Sequence, residues 1–147
     1  MSISSRFAVG VHILTLIEFN KEGVSSSEYI AASVNTNPAL IRKIIGMLKK
    51  AKLVEVHPGI AGAKLAKNLS EITLLDVYKA VDVVQDNELF NIHENSNPQC
   101  LVGRNIQDAI TPILATAQLA LEKVLSGVTI EDIVQDIINK EEQNRER

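Results

Sequence analysis

Apolar residues recur at helical spacing through the first part of the chain. In the first segment they stand at Phe7, Val11, Leu14 and Ile17. Steps of three or four residues place these side chains on one face and predict an amphipathic helix over residues 4–20. Gly23 ends this pattern, and a second, short helix is predicted from Ser26 or Ser27 to the turn at Asn35.

The third predicted helix has the clearest start signal in the chain. The side chain of Asn37 is suited to accept hydrogen bonds from the free backbone N–H groups of a first turn. Pro38 follows at the first helical position, where the missing N–H of proline costs nothing. The apolar face then consists of Ile41, Ile44, Ile45 and Leu48. The basic residues beside it are Arg42, Lys43, Lys49 and Lys50.

The next segments predict a β-hairpin and a fourth helix. Runs 54–57 and 63–66 flank the turn sequence Pro58-Gly59-Ile60-Ala61-Gly62. A helix is predicted over residues 74–84, with Ser70 as its capping residue, followed by a polar loop over 86–99. Three short helices and a hairpin are the order of a winged helix-turn-helix, in which the second helix of the motif enters the major groove of DNA.

The longest periodic segment lies near the C-terminus. Its apolar positions are Ile106, Ile110, Ile113, Ala117, Ala120 and Val124. A seven-residue repeat is typical of a seam that packs against another helix, so this segment predicts a dimerisation helix. Packing of the same seam on its own domain is the alternative. Pro112 should kink or locally unpair the helix, and Thr129 with Asp132 predicts a capping box that opens a last helix through Ile138.

Net charge alone argues against a nucleic-acid partner, but its distribution reverses that inference. The 147 residues carry 15 Lys and Arg against 18 Asp and Glu, a formal charge of -3. Residues 42–67 hold seven basic residues and one acidic residue, a local charge of +6, which leaves −9 elsewhere. Because phosphate neutralisation needs a local cluster, DNA binding by this segment is favoured. A merely solvated basic helix face remains the alternative.

The predicted fold is therefore mainly α, a winged helix-turn-helix of three helices and a β-hairpin wing with a long C-terminal dimerisation helix. We divide the chain into a DNA-binding domain at 1–85, a sensor-type loop at 86–102, dimerisation and last helices at 103–138, and a polar tail at 139–147. The candidate DNA contacts are Asn37, Ala39, Arg42, Lys43, His57, Lys64 and Lys67. Arg42 is the best candidate for base reading, because arginine binds the major-groove edge of guanine with two hydrogen bonds.

Four ordered blocks of the sequence resemble the BadM/Rrf-two family of bacterial transcription regulators. They are the N-terminal Met1-Ser2-Ile3-Ser4-Ser5-Arg6-Phe7-Ala8, the segment 37–44 with Ala51-Lys52-Leu53-Val54, the segment 72–77, and the segment 128–133. The resemblance spans residues 1 to about 138. It implies a homodimeric repressor whose long helix crosses to the partner subunit. Two-fold symmetry then predicts a pseudo-palindromic operator in double-stranded DNA.

The chain departs from the family pattern at several positions. Lys52 stands where the family usually has a glycine, and Gly62-Ala63-Lys64 replaces the Gly-Gly-aromatic sequence of the wing. Several relatives bind an iron–sulfur cluster through three cysteines, whereas Cys100 is the one cysteine here. Since a cluster normally takes about four protein ligands, we expect no cofactor. Other relatives are thiol sensors or act with a partner enzyme.

Cys100 is the candidate redox sensor, because a helix N-terminus and the nearby Arg104 favour a thiolate. An inert residue at a helix start is the alternative. His12, His57 and His93 share no metal-ligand spacing, so no metal site is predicted. No catalytic motif, signal peptide or membrane span is recognisable, and we expect a cytoplasmic non-enzyme. The alternative function is an interaction module that docks on a metabolic enzyme, with weak or lost DNA binding.

Overall fold

The computed structural model describes residues 3–81 and 93–146. Within these ranges the chain forms six α-helices, a 3-10 turn and a two-stranded antiparallel sheet. The elements are α1 (Ile3–Phe19), α2 (Ser27–Val34), α3 (Pro38–Lys50), β1 (Val54–Glu55), β2 (Lys64–Leu65), the 3-10 turn Leu69–Glu71, α4 (Leu74–Val81), α5 (Leu101–Ser126) and α6 (Ile130–Arg145). The predicted order of three helices, a hairpin and a long C-terminal helix is confirmed. No helix in the described ranges is long and apolar enough to cross a membrane.

The hydrophobic core lies where α1, α3 and α4 pack against one another. Each helix supplies a fully buried side chain, such as Ile13 from α1, Ile44 from α3 and Val77 from α4. Burial of one such side chain contributes about 1.5–3 kcal/mol. This packing fixes the rotation of α3 about its own axis and thereby decides which of its residues face outward.

The start of α3 is formed as the sequence predicts. Asn37 Oδ1 accepts a hydrogen bond from the Leu40 N–H at 2.9 Å, and Pro38 is the first helical residue. Two residues after the end of α3, Lys52 is left-handed, with a φ of 64°. Beyond it the Leu53 N–H donates to the Leu48 carbonyl at 3.0 Å. Lys52 therefore takes up the backbone conformation for which glycine is usually used at such a helix end.

The hairpin is shorter than the sequence predicts. Only Val54 with Leu65 and Glu55 with Lys64 pair as strand residues. The residues between the two strands, 56–63, form a loop that contains Pro58, which lacks an N–H group to donate to the sheet. A backbone hydrogen bond connects the hairpin to the segment before α2: the Ala63 N–H donates to the Ser25 carbonyl at 3.1 Å.

The predicted cap of α4 at Ser70 is wrong. Thr73 caps the helix instead: its hydroxyl accepts from the Asp76 N–H at 3.1 Å, and the Asp76 carboxylate accepts from the Thr73 N–H at 3.0 Å. Ser70 donates through its N–H and its hydroxyl to Asn68 Oδ1 within the 3-10 turn. The predicted end of this helix, and the first half of the predicted loop that follows, lie in residues 82–92, outside the described part of the chain.

The C-terminal helices are both longer than predicted. α5 begins at Leu101 and continues through Pro112 without interruption. α6 opens with the predicted capping box of Thr129 and Asp132 but extends to Arg145, so the predicted boundary at residues 138 and 139 lies inside a helix. Its polar end is rich in good helix formers. Ion pairs at a spacing of four residues, Lys140 with Asp136 and Arg145 with Glu141, add support.

Candidate nucleic-acid interface

The outward face of α3 carries the candidate DNA-binding residues. One side of the helix is buried in the core through Ile41, Ile44, Ile45 and Leu48. The exposed residues on the other side are Ala39, Arg42, Lys43, Gly46, Lys49 and Lys50. Because a helix repeats every 3.6 residues, burial of one face brings the four cations together on the opposite one. The surface is an exposed and strongly basic helix face.

Arg42 is not isolated on this face. Its Nη1 atom lies 3.7 Å from Oε1 of Glu28, which stands in the first turn of α2. The two side chains are 59% and 73% exposed, so the pair contributes only about 0–1 kcal/mol. A DNA phosphate or base could therefore displace Glu28 at little cost. Glu28 was not predicted from the sequence, because no local pattern relates it to a residue on the next helix.

The residues at the start of α3 differ in which of their polar groups are free to contact DNA. Asn37 is exposed, but its side-chain oxygen is already used as the helix cap. The amide nitrogen of Asn37 is the group that could donate to DNA. Ala39 and Lys43 are both exposed. The structure therefore places all of the predicted α3 contacts on one accessible surface.

The wing differs from the prediction in the placement of Lys64. Its Nζ atom donates to the carbonyl oxygens of Lys21 at 3.0 Å and Gly23 at 3.2 Å, in the turn that follows α1. These bonds connect the wing to the body of the domain and direct the ammonium group toward main-chain oxygens. His57 lies near the tip of the hairpin, exposed, with Nε2 3.7 Å from the Glu55 carboxylate.

A second basic cluster lies at the other edge of α3. Lys50, Lys67 and Lys79 border a cleft between the end of α3 and α4, beside Asp76. Lys67 was predicted from the sequence, but Lys79 was not, because it has no basic neighbour in the described residues of α4. Together with Arg42 and Lys49 on the wing side, these lysines make both edges of α3 basic.

The predicted seam of α5 is exposed in the single chain. Ile113 and Val124 are 66% and 67% exposed, Ile106 is 37% exposed, and Ala120 is exposed as well. Another face of α5 packs on the domain, where Gln118 Nε2 donates to the Tyr78 hydroxyl at 3.2 Å. Among the described residues, the domain thus leaves four of the six seam residues exposed. The two remaining seam residues, Ile110 and Ala117, are partly buried.

Cys100 is exposed and occupies the N-cap position of α5. The backbone N–H groups of Gly103 and Val102 face its sulfur and lower the pKa of the thiol, although neither contact is a full hydrogen bond. Arg104 acts on the loop instead: its Nη1 lies 3.3–3.4 Å from the carbonyl oxygens of Pro98 and Gln99.

The residues around Cys100 do not fit an iron–sulfur cluster. A cluster takes about four protein ligands, mostly cysteine. Within the ranges that the structure describes, no three His, Cys, Asp or Glu side chains are grouped so that they could hold a metal ion. Gly103 also leaves no space for a ligating side chain, because a Cβ atom there would lie 2.2 Å from the Asn97 carbonyl oxygen.

Comparisons with known proteins agree with this architecture. Residues 3–136 match the Rrf2 family, described as iron-dependent transcriptional regulators. YwnA of Bacillus subtilis, described as an HTH-type transcriptional regulator, is 44% identical over 132 residues, which are 90% of this chain and 96% of YwnA.

Solved structures show the same fold. A crystal structure described as that of a DNA-binding protein is 39% identical, with a TM-score of 0.70, over 87% of this chain and 97% of its own. A protein described as a transcriptional regulator from Lactobacillus plantarum has a TM-score of 0.74 at 21% identity, over 95% of this chain and 97% of its own. The family match over nearly the whole chain and the close relative identify the protein as a member of the Rrf2 family of transcriptional regulators.

Proposed function

We propose that the protein is a homodimeric repressor that binds a pseudo-palindromic DNA duplex through α3 and the hairpin wing. The observation that carries this proposal is the basic outward face of α3, with Arg42, Lys43, Lys49 and Lys50 exposed opposite the buried side. A helix of this kind fits the major groove, where its N-terminal residues meet base edges. A bound dimer would repress by occupying the operator.

In this proposal the residues of α3 have different roles. Arg42 reads a base, because its guanidinium matches the two acceptors of guanine in the major groove. Lys43, Lys49 and Lys50 neutralise phosphates of the two strands that border the groove. Lys67 extends the contact on the α4 side. Lys64 positions the wing through its bonds to main-chain carbonyls rather than by contacting phosphate.

The dimer is proposed from the exposed seam of α5. An apolar row of this length on a water-soluble surface is expected to be covered by another surface. A second copy of α5 offers the same seam, and a two-fold axis makes such an interface self-complementary. Two copies of α3 would then lie about 34–36 Å apart or a multiple of that distance, which matches successive major grooves on one side of the duplex.

Cys100 is proposed as the redox-responsive group. Its thiolate could be oxidised by a peroxide to a sulfenic acid, which condenses with a second thiol to a disulfide and water. The supporting observation is the lowered pKa of this exposed thiol at the start of α5. Because α5 also carries the seam, a modification at its first turn would act directly on the dimerisation helix.

The experiment that tests the function is selection of duplexes from a random DNA library by the wild-type protein. We expect enrichment of a pseudo-palindrome and, in sedimentation, two chains per duplex. Ile113→Glu should dissociate the dimer, whereas Leu119→Glu, at an equally exposed position on another face of α5, should not. Enrichment of no sequence, or one chain per duplex, would contradict the proposal.

A further inference from the structure

Gly46 lies in the middle of α3, on the exposed face. Apart from its own helix and chain neighbours, no atom of the described residues lies within 4 Å of the position that a Cβ atom would occupy there. The packing of the domain therefore does not require a glycine at this position. Glycine is nevertheless the least favourable residue after proline in a helix interior, because it loses the most backbone freedom on folding.

Three other glycines have reasons inside the molecule. A Cβ atom on Gly10 would lie 3.0 Å from Val77 Cγ1, and one on Gly103 would lie 2.2 Å from the Asn97 carbonyl oxygen. Gly62 has a φ of 90°, which strongly favours glycine. Gly46 has neither a close neighbour nor a left-handed backbone, so the reason for a glycine there is sought outside the chain.

The neighbours of Gly46 on the helix indicate what that reason is. Residues three or four positions away are adjacent on a helix surface. At these four positions stand Arg42, Lys43, Lys49 and Lys50. A polyanion attracted to the four cations is therefore brought directly over the bare backbone of Gly46.

We propose that Gly46 is a contact position of the DNA interface. Without a side chain, the backbone of α3 can approach the duplex more closely at the centre of its basic face, which lets the helix lie deeper in the major groove. The three flanking lysines then reach phosphates on both strands while Arg42 reaches a base edge. This inference rests on the proposed function, and it adds a residue whose role is to leave space.

The inference is tested with Gly46→Ala and Gly46→Leu, which introduce one methyl group and one larger side chain at the same exposed helical position. Binding is measured by fluorescence anisotropy on a duplex selected from a random library by the wild-type protein, and on a scrambled duplex of equal length. Thermal unfolding is measured on the same samples. Gly127→Ala is the matched control, because a Cβ atom there makes only ordinary contacts, the nearest at 3.6 Å.

We expect both Gly46 variants to melt higher than the wild type, by about 3–4 °C, because Ala and Leu are better helix formers. We expect affinity for the selected duplex to fall by about tenfold for Ala and further for Leu, with little change on the scrambled duplex. Wild-type affinity in both variants would overturn the inference while leaving the proposed function intact. If the wild-type protein selects no duplex, the proposed function fails instead.

Discussion

Arg42 Nη1 of α3 lies 3.7 Å from Oε1 of Glu28 on α2. The arginine proposed to read a base is therefore paired with a carboxylate in the absence of DNA. A carboxylate at this place repels phosphates and competes with DNA for the guanidinium. Because the pair is well exposed, this competition is weak and measurable rather than prohibitive.

Glu28→Gln should raise DNA affinity by up to about fivefold, since an exposed ion pair is worth about 0–1 kcal/mol. Arg42→Ala should cost about 1–3 kcal/mol and relax the preference at one base pair. If Glu28 acts through Arg42, its substitution should have no effect in the Arg42→Ala background. Anisotropy titrations of the four proteins on one selected duplex measure this cycle. A loss of affinity in Glu28→Gln would show that the carboxylate contacts DNA itself.

The two lysines of the wing region should behave differently. Lys64→Ala removes bonds to the carbonyls of Lys21 and Gly23, and we expect it to lower stability by up to about 1 kcal/mol without changing the salt dependence of DNA binding. Lys67→Ala should leave stability unchanged and reduce the salt slope by about 1. Urea unfolding and titrations at several salt concentrations separate the two effects. Equal salt slopes for both variants would contradict the positioning role of Lys64.

Lys52→Gly should stabilise the protein. Lys52 has a φ of 64°, a conformation that costs a residue with a Cβ atom about 1–2 kcal/mol. Glycine removes this strain but loses more backbone conformational freedom on folding. We therefore expect the free energy of unfolding to rise by roughly 0.5–1 kcal/mol. Lys52→Ala is the control, because it removes the charge and keeps the strain. Equal stability of the two variants in urea unfolding would show that the backbone at this position is unstrained.

Hydrogen bonds between residues that are close in the sequence could be predicted, whereas contacts between residues that are far apart in the sequence could not. The caps formed by Asn37 and Thr129 were predicted correctly, because cap and partner lie within three residues of each other. The bonds of Lys64 were not predictable, since its partners lie more than forty residues earlier in the chain. The pair of Arg42 with Glu28 depends in the same way on how two helices pack.

Open space at Gly46 is likewise visible only in three dimensions. From the sequence, a glycine inside a predicted helix indicates only a lower helix propensity. The sequence does not show whether atoms of other elements lie close to that glycine. The length of α6 was underestimated for another reason: a polar segment without an apolar stripe was expected to fray, whereas its ion pairs at four-residue spacing support the helix.

The thiol of Cys100 should titrate below its ordinary pKa of about 8.5. The Gly103 and Val102 N–H groups favour the thiolate, so alkylation should reach half its maximal rate at a lower pH than for a free cysteine. Gly103→Ala should raise this midpoint, because its Cβ atom would displace the loop at Asn97. The rate of reaction with iodoacetamide, measured as a function of pH, gives this midpoint for the wild type and for Gly103→Ala. An ordinary midpoint in the wild type, with DNA affinity unaffected by peroxide, would leave Cys100 as an inert residue.

The salt dependence of DNA affinity tests the central claim most directly. The logarithm of the association constant of the wild-type protein for a selected duplex is measured against the logarithm of salt concentration. If the basic faces of two α3 helices bind phosphates, the line should fall with a slope of about −4 or steeper, which corresponds to about five or more phosphate contacts. A slope near zero, or no detectable binding at low salt, would contradict a DNA-binding regulator and favour a module that docks on another protein.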